Sequence, residues 1–191
     1  MTNIYFVRHA QPDYKYPDPA NRPLTEEGER DCAKVTEIFR NIKLDYAVSS
    51  PYIRSYNTIK ATAEEHGLEI HTDYRLRERK NGKNSNYMEM FQKRWADMTY
   101  TESDGECLKD VQDRNIEVIS ALLNEHEGEN IILGTHGTAL STIFNYYDKS
   151  FGLEGFLELI NYLPYVVRIG FEGHKMVEKE ELLIIEKVFN G

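Results

Sequence analysis

The sequence predicts a three-layer α/β/α fold with a mostly parallel central sheet, and three observations carry that prediction. Short apolar runs alternate with longer stretches whose apolar residues repeat at helical spacing. The short runs are continuous rather than alternately polar, the pattern of strands buried on both faces. The chain has 191 residues, 40% hydrophobic and 29% charged, which suffices for one α/β domain with a sizeable core and barely for two.

Ile4-Tyr5-Phe6-Val7 is the first strand expected. Thr25 is placed to cap the first helix, with Glu26 and Glu27 in the first turn, where the helix dipole favours acids. Val35, Ile38, Phe39 and Ile42 keep helical spacing, so this helix is expected to run to about residue 42. Tyr46-Ala47-Val48 is a second strand. Ser49-Ser50-Pro51 opens a helix with Tyr52, Tyr56, Ile59 and Ala63 on its apolar face and Gly67 as its stop. Leu68 to His71 is a weak third strand. From Lys80 to Gly105 the chain is polar and Asn-rich, with Met88, Phe91, Trp95 and Met98 at helical spacing; it reads as a lid-like excursion around 80–105 carrying a short helix. Leu108, Val111, Val118, Ile119 and Leu122 mark a longer helix ending before Gly128. Ile131-Ile132-Leu133 is a strand, and Leu140, Ile143, Phe144 and Tyr147 form the core face of the helix after it. A helix around Phe156 and two β-like runs, Tyr165–Ile169 and Leu182–Ile185, complete the pattern. No linker, repeat or low-complexity tract interrupts it, so a single domain over 1–191 is expected.

Charge and cysteine usage narrow the function classes. With 23 basic and 32 acidic side chains the net charge is −9, which argues against nucleic-acid and anionic-membrane partners while leaving room for a small basic pocket. Cys32 and Cys107 form no CxxC pair, so neither a zinc ribbon nor a disulfide framework is expected, and a reducing cytoplasm fits best. Arg8 and His9 interrupt the first apolar stretch after four residues, so no signal peptide is expected, and no run has the length of a membrane span.

In a parallel α/β sheet, ligands bind beyond the carboxyl ends of the strands. Val7 is followed by Arg8 and His9, and Val48 by Ser49, Ser50 and then Arg54. The weak third strand is followed by Arg75-Leu76-Arg77-Glu78-Arg79, and Leu133 by Gly134-Thr135-His136-Gly137. Two histidines, at least two arginines and a carboxylate thus meet at one sheet edge. Arginine offers forked, charged donors to phosphate oxygens, a helix start at Gly137 offers backbone N–H groups, and neutral imidazole is a competent nucleophile. With no GxxxxGK[ST] present, the inference is a phosphate site without a P-loop. Singly, each residue has a plainer reading. Arg8-His9 suits an ordinary surface dipeptide, His136 a hydrogen-bonded structural histidine, Arg54 a solvated charge, and Glu78 a surface ion-pair cluster with its neighbouring arginines.

At Phe6-Val7-Arg8-His9-Ala10 the chain resembles the histidine phosphatase superfamily, the clan of phosphoglycerate mutases and related phosphatases. The resemblance runs in order through Pro23-Leu24-Thr25-Glu26-Glu27-Gly28, the segment Ser49 to Thr58, Leu76-Arg77-Glu78, Gly105-Glu106-Cys107 with Asp110 and Arg114, and Thr135-His136-Gly137. It implies a phosphoglycerate mutase-like fold and a two-step phosphoryl transfer. His9 is the nucleophile, with its other ring nitrogen fixed by a backbone carbonyl. Arg8, Arg54 and His136 hold the transferring group, with Gly137 at the helix start, and Glu78 is the acid/base. No metal and no cofactor are implied. Departures are Ala10 for the usual glycine, Gln11-Pro12 for an acidic and hydroxyl continuation, Cys107 for serine, and no Ser-x-Trp-Asn continuation. They favour a phosphomonoesterase acting on a small phosphorylated metabolite. The alternatives are a 2,3-bisphosphoglycerate-dependent phosphoglycerate mutase and, in another class, a catalytically weak phosphate-binding or regulatory protein. Tyr14, Tyr16, Trp95 and Tyr100 are candidate pocket aromatics; no oligomeric state is implied.

Overall fold

A computed structural model describes residues 1–188. Its strands are β1 (Thr2–Arg8), β2 (Tyr46–Ser49), β3 (Ile70–Thr72), β4 (Asn130–Thr135), β5 (Tyr162–Glu172) and β6 (Lys175–Glu186), forming one sheet in the order β3-β2-β4-β1-β5-β6. The first four in that order are parallel; β5 and β6 are antiparallel to their neighbours. The sheet is thus mostly parallel, as the sequence predicts, with an antiparallel hairpin on one side.

The continuous apolar runs follow from two-sided burial. Successive strand side chains point to opposite faces. Ile4, Phe6, Ile131 and Leu133 pack with Val118, Ile119, Leu140 and Ile143 on one face. Tyr5, Val7 and Ile132 pack with Val35, Phe39, Ile59 and Ala63 on the other. The helices supplying these residues are α1 (Glu26–Phe39) and α2 (Ile53–Glu65) on one side, and α4 (Leu108–Glu125) and α5 (Gly137–Tyr147) on the other. Each such fully buried side chain contributes about 1.5–3 kcal/mol of transfer free energy.

Local signals set the helix ends. The Thr25 hydroxyl accepts the Gly28 N–H at 3.0 Å. Gly28 must lack a side chain, because a Cβ there would lie 2.3 Å from the Gln11 carbonyl oxygen. Helix α1 stops at Phe39, short of the expected residue 42; Ile42 still packs on the same core cluster, from the following turn. Gly67, at φ +66°, closes the turn after α2. Cys107 caps α4, its Sγ accepting the Asp110 N–H at 3.3 Å, so the thiol takes the position of a capping hydroxyl. Ala10 is not among the positive-φ residues, which explains how alanine replaces the family's glycine.

The 80–105 excursion carries α3 (Met88–Ala96) and packs against α6 (Leu153–Leu159) through Phe91, Phe156 and Ile160. A buried charge cluster ties it down. Glu102 accepts from Arg79, from Arg94 at 3.0 Å, from the Ser85 hydroxyl and from the Gly82 N–H. Burial alone raises a carboxyl pKa, but here the Arg79 and Ser85 hydrogen bonds outweigh it and hold Glu102 well below the usual range. Among the described residues no helix is long and apolar enough to cross a membrane.

Candidate active site

Strand register gathers the predicted residues. Arg8 lies opposite Thr135 across the β1–β4 pair, and Ser49 opposite Gly134 across β2–β4. The His9 N–H then reaches the Thr135 carbonyl at 3.2 Å, and the Ser50 N–H the Gly134 carbonyl at 3.1 Å. Gly134 permits this approach, since a Cβ there would stand 2.5 Å from the Ser49 Oγ. Three strand ends therefore bring His9, Ser50 and His136 onto one edge.

His9 is buried, and its Nδ1 lies 2.7 Å from the Ala10 carbonyl. A carbonyl can only accept, so Nδ1 carries the proton and Nε2 presents a lone pair. That lone pair accepts the Arg54 Nε–H at 3.1 Å. Burial, then the positive charges of Arg54 and Arg8, push the His9 pKa well below the ordinary histidine value. His136 is fully buried, with Nε2 2.8 Å from the Ser50 hydroxyl and its ring centroid 5.3 Å from that of His9. Burial, then Arg54 and His9, lower its pKa in the same way.

Both rings are therefore neutral in the folded protein, whereas the unfolded chain takes up protons near pH 6.5. Below that pH the unfolded state binds more protons, so stability falls as pH falls. Between pH 6.5 and 5.5 each imidazole should cost about 1 kcal/mol, or about 2 kcal/mol for both. Urea unfolding at those two pH values measures it; unchanged stability would mean that the folded rings are charged.

Arg8 and Arg54 are buried guanidiniums without a carboxylate within ion-pair distance among the described residues. Arg8 donates through one amino group to the carbonyls of Leu159 and of Tyr162, the latter at 2.9 Å, and its buried Nε–H has no partner. Arg54 is the second residue of α2, and its terminal amino group meets the Pro19 carbonyl at 2.5 Å. Burial is the main cause that pushes both pKa values down to about 10, so both stay charged at neutral pH. Gly137 packs on Arg8, where a Cβ would stand 3.1 Å from Nε.

The ion-pair reading of Glu78 does not hold. Arg75 pairs with Asp73 and Glu117, Arg77 with Glu106, and Arg79 with Glu102. Glu78 instead accepts three backbone N–H groups: Arg79 at 2.8 Å, Thr138 at 3.0 Å and Ala139 at 3.1 Å. The last two belong to the first turn of α5, whose free N–H groups attract a carboxylate. Glu106 is held by Arg114, Arg77 and the Lys80 N–H, and does not line the pocket.

These groups share a cavity of about 370 Å³, lined by Arg8, His9, Arg54, Glu78 and Gly137 among others; His136 sits behind His9 rather than in the lining. At ~30 Å³ per water this is room for roughly a dozen water molecules. Of the candidate aromatics only Tyr14 lines it. Trp95 stacks against Phe151 and Phe156, the Tyr100 hydroxyl faces Met90, and Tyr16 is exposed. Sequence reasoning missed Arg22, Tyr52, Arg79 and Arg94, which also line it. Tyr52 stood inside the recognised Ser49–Thr58 segment and was legible there; Arg94 had no local signal. Gln11 turns away to receive the Thr25 hydroxyl at 3.0 Å.

The chain is similar to the probable phosphoglycerate mutase GpmB of Citrobacter koseri, at 27% identity over 165 residues, covering 75% of this chain and 73% of that protein. It is similar in fold to Bacillus stearothermophilus YhfR (TM-score 0.77, 23% identity, 93% and 95% of the two chains). It is also similar in fold to phosphoserine phosphatase from Entamoeba histolytica in complex with 3-phosphoglyceric acid (TM-score 0.77, 16% identity, 98% of each chain). Residues 4–180 match the histidine phosphatase superfamily (branch 1), and the chain belongs to that superfamily.

Proposed function

We propose that the protein is a phosphomonoesterase that hydrolyses a small phosphorylated metabolite through a phosphohistidine on His9. The observation that carries this reading is the pair of buried guanidiniums, Arg8 and Arg54, without carboxylate partners, flanking a neutral imidazole whose Nε2 is bare of hydrogen. Buried charges are ordinarily paired, and an unpaired pair of arginines beside a nucleophile is matched by a phosphoryl dianion.

Nε2 of His9 attacks phosphorus as the ester P–O bond breaks. The leaving oxygen takes a proton from the Glu78 carboxyl. Water then attacks phosphorus, gives a proton to Glu78, and the P–N bond breaks to restore neutral His9. Arg54 passes its Nε–H from the imidazole to a phosphate oxygen. Arg8 offers its Nε–H, and His136 supports the site from behind. Charge on the transferring group is balanced by side chains, so this reading requires no metal or cofactor. A cavity of this size favours a metabolite over a phosphoprotein, and the segment from Lys80 onward forms one wall of a single domain. Two free, buried cysteines suit a reducing cytoplasm.

The second reading is mutase chemistry, favoured by the GpmB relatives. The two are separated by comparing phosphate release from a panel of monoesters with isomerisation of 3-phosphoglycerate in the presence of 2,3-bisphosphoglycerate. Release is expected to be faster; the reverse order would establish the mutase. In Glu78→Gln, esters with alkoxide leaving groups should slow by about 10²–10⁴-fold and aryl phosphates much less. A uniform loss across both would make Glu78 a positioning residue rather than the acid.

A further inference from the structure

One buried hydroxyl just beyond β2 holds the second histidine in place. Ser50 is fully buried, and its backbone N–H reaches the Gly134 carbonyl at 3.1 Å, two residues before His136 on the neighbouring strand end. The Ser50 Oγ accepts the Tyr52 N–H at 3.2 Å, a local turn that orients the side chain. The same Oγ lies 2.8 Å from Nε2 of His136, and the Tyr52 ring stands edge-on to the imidazole with centroids 5.3 Å apart.

Which of the two atoms donates follows from counting partners. Burial first, then the charge of Arg54, keeps His136 neutral, so its ring carries one proton. A backbone N–H can only donate, so Tyr52 occupies a lone pair of the Ser50 Oγ and leaves the hydroxyl proton to be placed. With the ring proton on Nε2, the hydroxyl proton and the Nδ1 lone pair would both be buried without a partner among the described residues. With the ring proton on Nδ1, the hydroxyl donates to Nε2, and the Nδ1–H alone is left unpaired. Each buried polar group without a partner costs its desolvation, so the second arrangement is favoured.

We infer that Ser50 is a positioning residue for phosphoryl transfer: its hydroxyl donates to Nε2 of His136 and so keeps the ring proton on Nδ1, as a donor reserved for the phosphoryl group on His9. The inference rests on the phosphohistidine reading of His9 and adds the residue that sets the tautomer of its neighbour. The two ring centroids are 5.3 Å apart, close enough for an oxygen on phosphorus bonded to His9 to meet the second ring. Both imidazoles then share one tautomer by opposite means. A carbonyl accepts from Nδ1 of His9, and a hydroxyl donates to Nε2 of His136. A donor fixed in this way needs no reorganisation as charge develops on the transferring group.

The tautomer itself is the test. In protein carrying isotopically labelled histidine, nitrogen NMR shifts separate a protonated ring nitrogen from a bare one, and His136 is assigned by the signals lost in His136→Gln. The wild-type ring at neutral pH is expected to show Nδ1 protonated and Nε2 bare. A proton on Nε2 overturns the inference with no variant needed. In Ser50→Ala both tautomers should be populated, and turnover of a monoester should fall about tenfold or more, chiefly through kcat. Ser50→Thr, which keeps the hydroxyl, should retain the wild-type tautomer and most of the turnover. A tautomer unchanged in Ser50→Ala overturns the inference even if activity is lost, because it assigns Ser50 to structure alone; a shifted tautomer with unchanged kcat overturns it as well. Should Ser50→Ala fail to fold, Ser50→Cys, a weaker donor at the same place, carries the same comparison. If no monoester turns over, the hydrolase reading fails. Wild-type spectra with inorganic phosphate then decide this inference: an Nδ1–H signal of His136 that phosphate moves supports it, and an unmoved one overturns it.

Discussion

His9→Ala is expected to lower turnover by roughly 10⁴-fold or more, the scale on which removal of a nucleophile acts when other transition-state contacts remain. The side chain sits just beyond β1 with its tautomer fixed by the Ala10 carbonyl, so no rotation of another group can replace its lone pair. Rapid quench of the wild-type protein with labelled substrate should trap an acid-labile, base-stable phosphoenzyme that the variant lacks. A variant with near wild-type turnover would remove His9 from the role of nucleophile. A thermal melt of the variant checks that lost turnover accompanies a folded chain.

Glu102→Ala should be the most destabilising single change outside the apolar core. It removes the carboxylate that Arg79 and Arg94 share and takes an acceptor from the Ser85 hydroxyl and Gly82 N–H at the same point. Breaking a buried pair from one side costs about 3–5 kcal/mol, because the partner charge stays buried. In a chain of 191 residues that corresponds to a Tm lower by about 6–20 °C. Thermal melts at pH 7 measure it, and a shift below 2 °C would mean that the arginines reach solvent without Glu102. The effect should reach the site as well, since the Arg79 backbone N–H holds Glu78.

Residue types at strand ends were enough to place Arg8, His9, Arg54, Glu78, His136 and Gly137 on one edge, because parallel register forces neighbouring strand ends together. What the pattern could not give is set by contacts distant in sequence. Glu102 lies 23 residues from Arg79 and 8 from Arg94, and nothing local marks it as their partner. The hairpin of β5 and β6 was harder to read for another reason. Its apolar centres were visible, but Gly170, Glu172, Lys175 and Glu178 at the polar ends hid how close the strands approach. They are separated only by Gly173 and His174, with Gly173 at φ +56°, a two-residue hairpin loop. The arginine-rich run around Glu78 left an ion-pair cluster standing beside the acid/base reading, and the start of α5, 60 residues on, claims the carboxylate.

Four of the six prolines, Pro12, Pro17, Pro19 and Pro23, fall in the segment between β1 and α1 that carries Tyr14 and Arg22 and whose Pro19 carbonyl anchors Arg54. This segment has no helix and only one bridge pair, Pro12 with Leu24. Each proline ring fixes φ near −65° and reduces the freedom of the unfolded chain. Part of the ordering entropy of this wall is therefore lost during folding rather than at the moment of binding. A ligand entering the pocket meets donors whose positions are already restricted, so a larger share of its contact free energy appears as affinity.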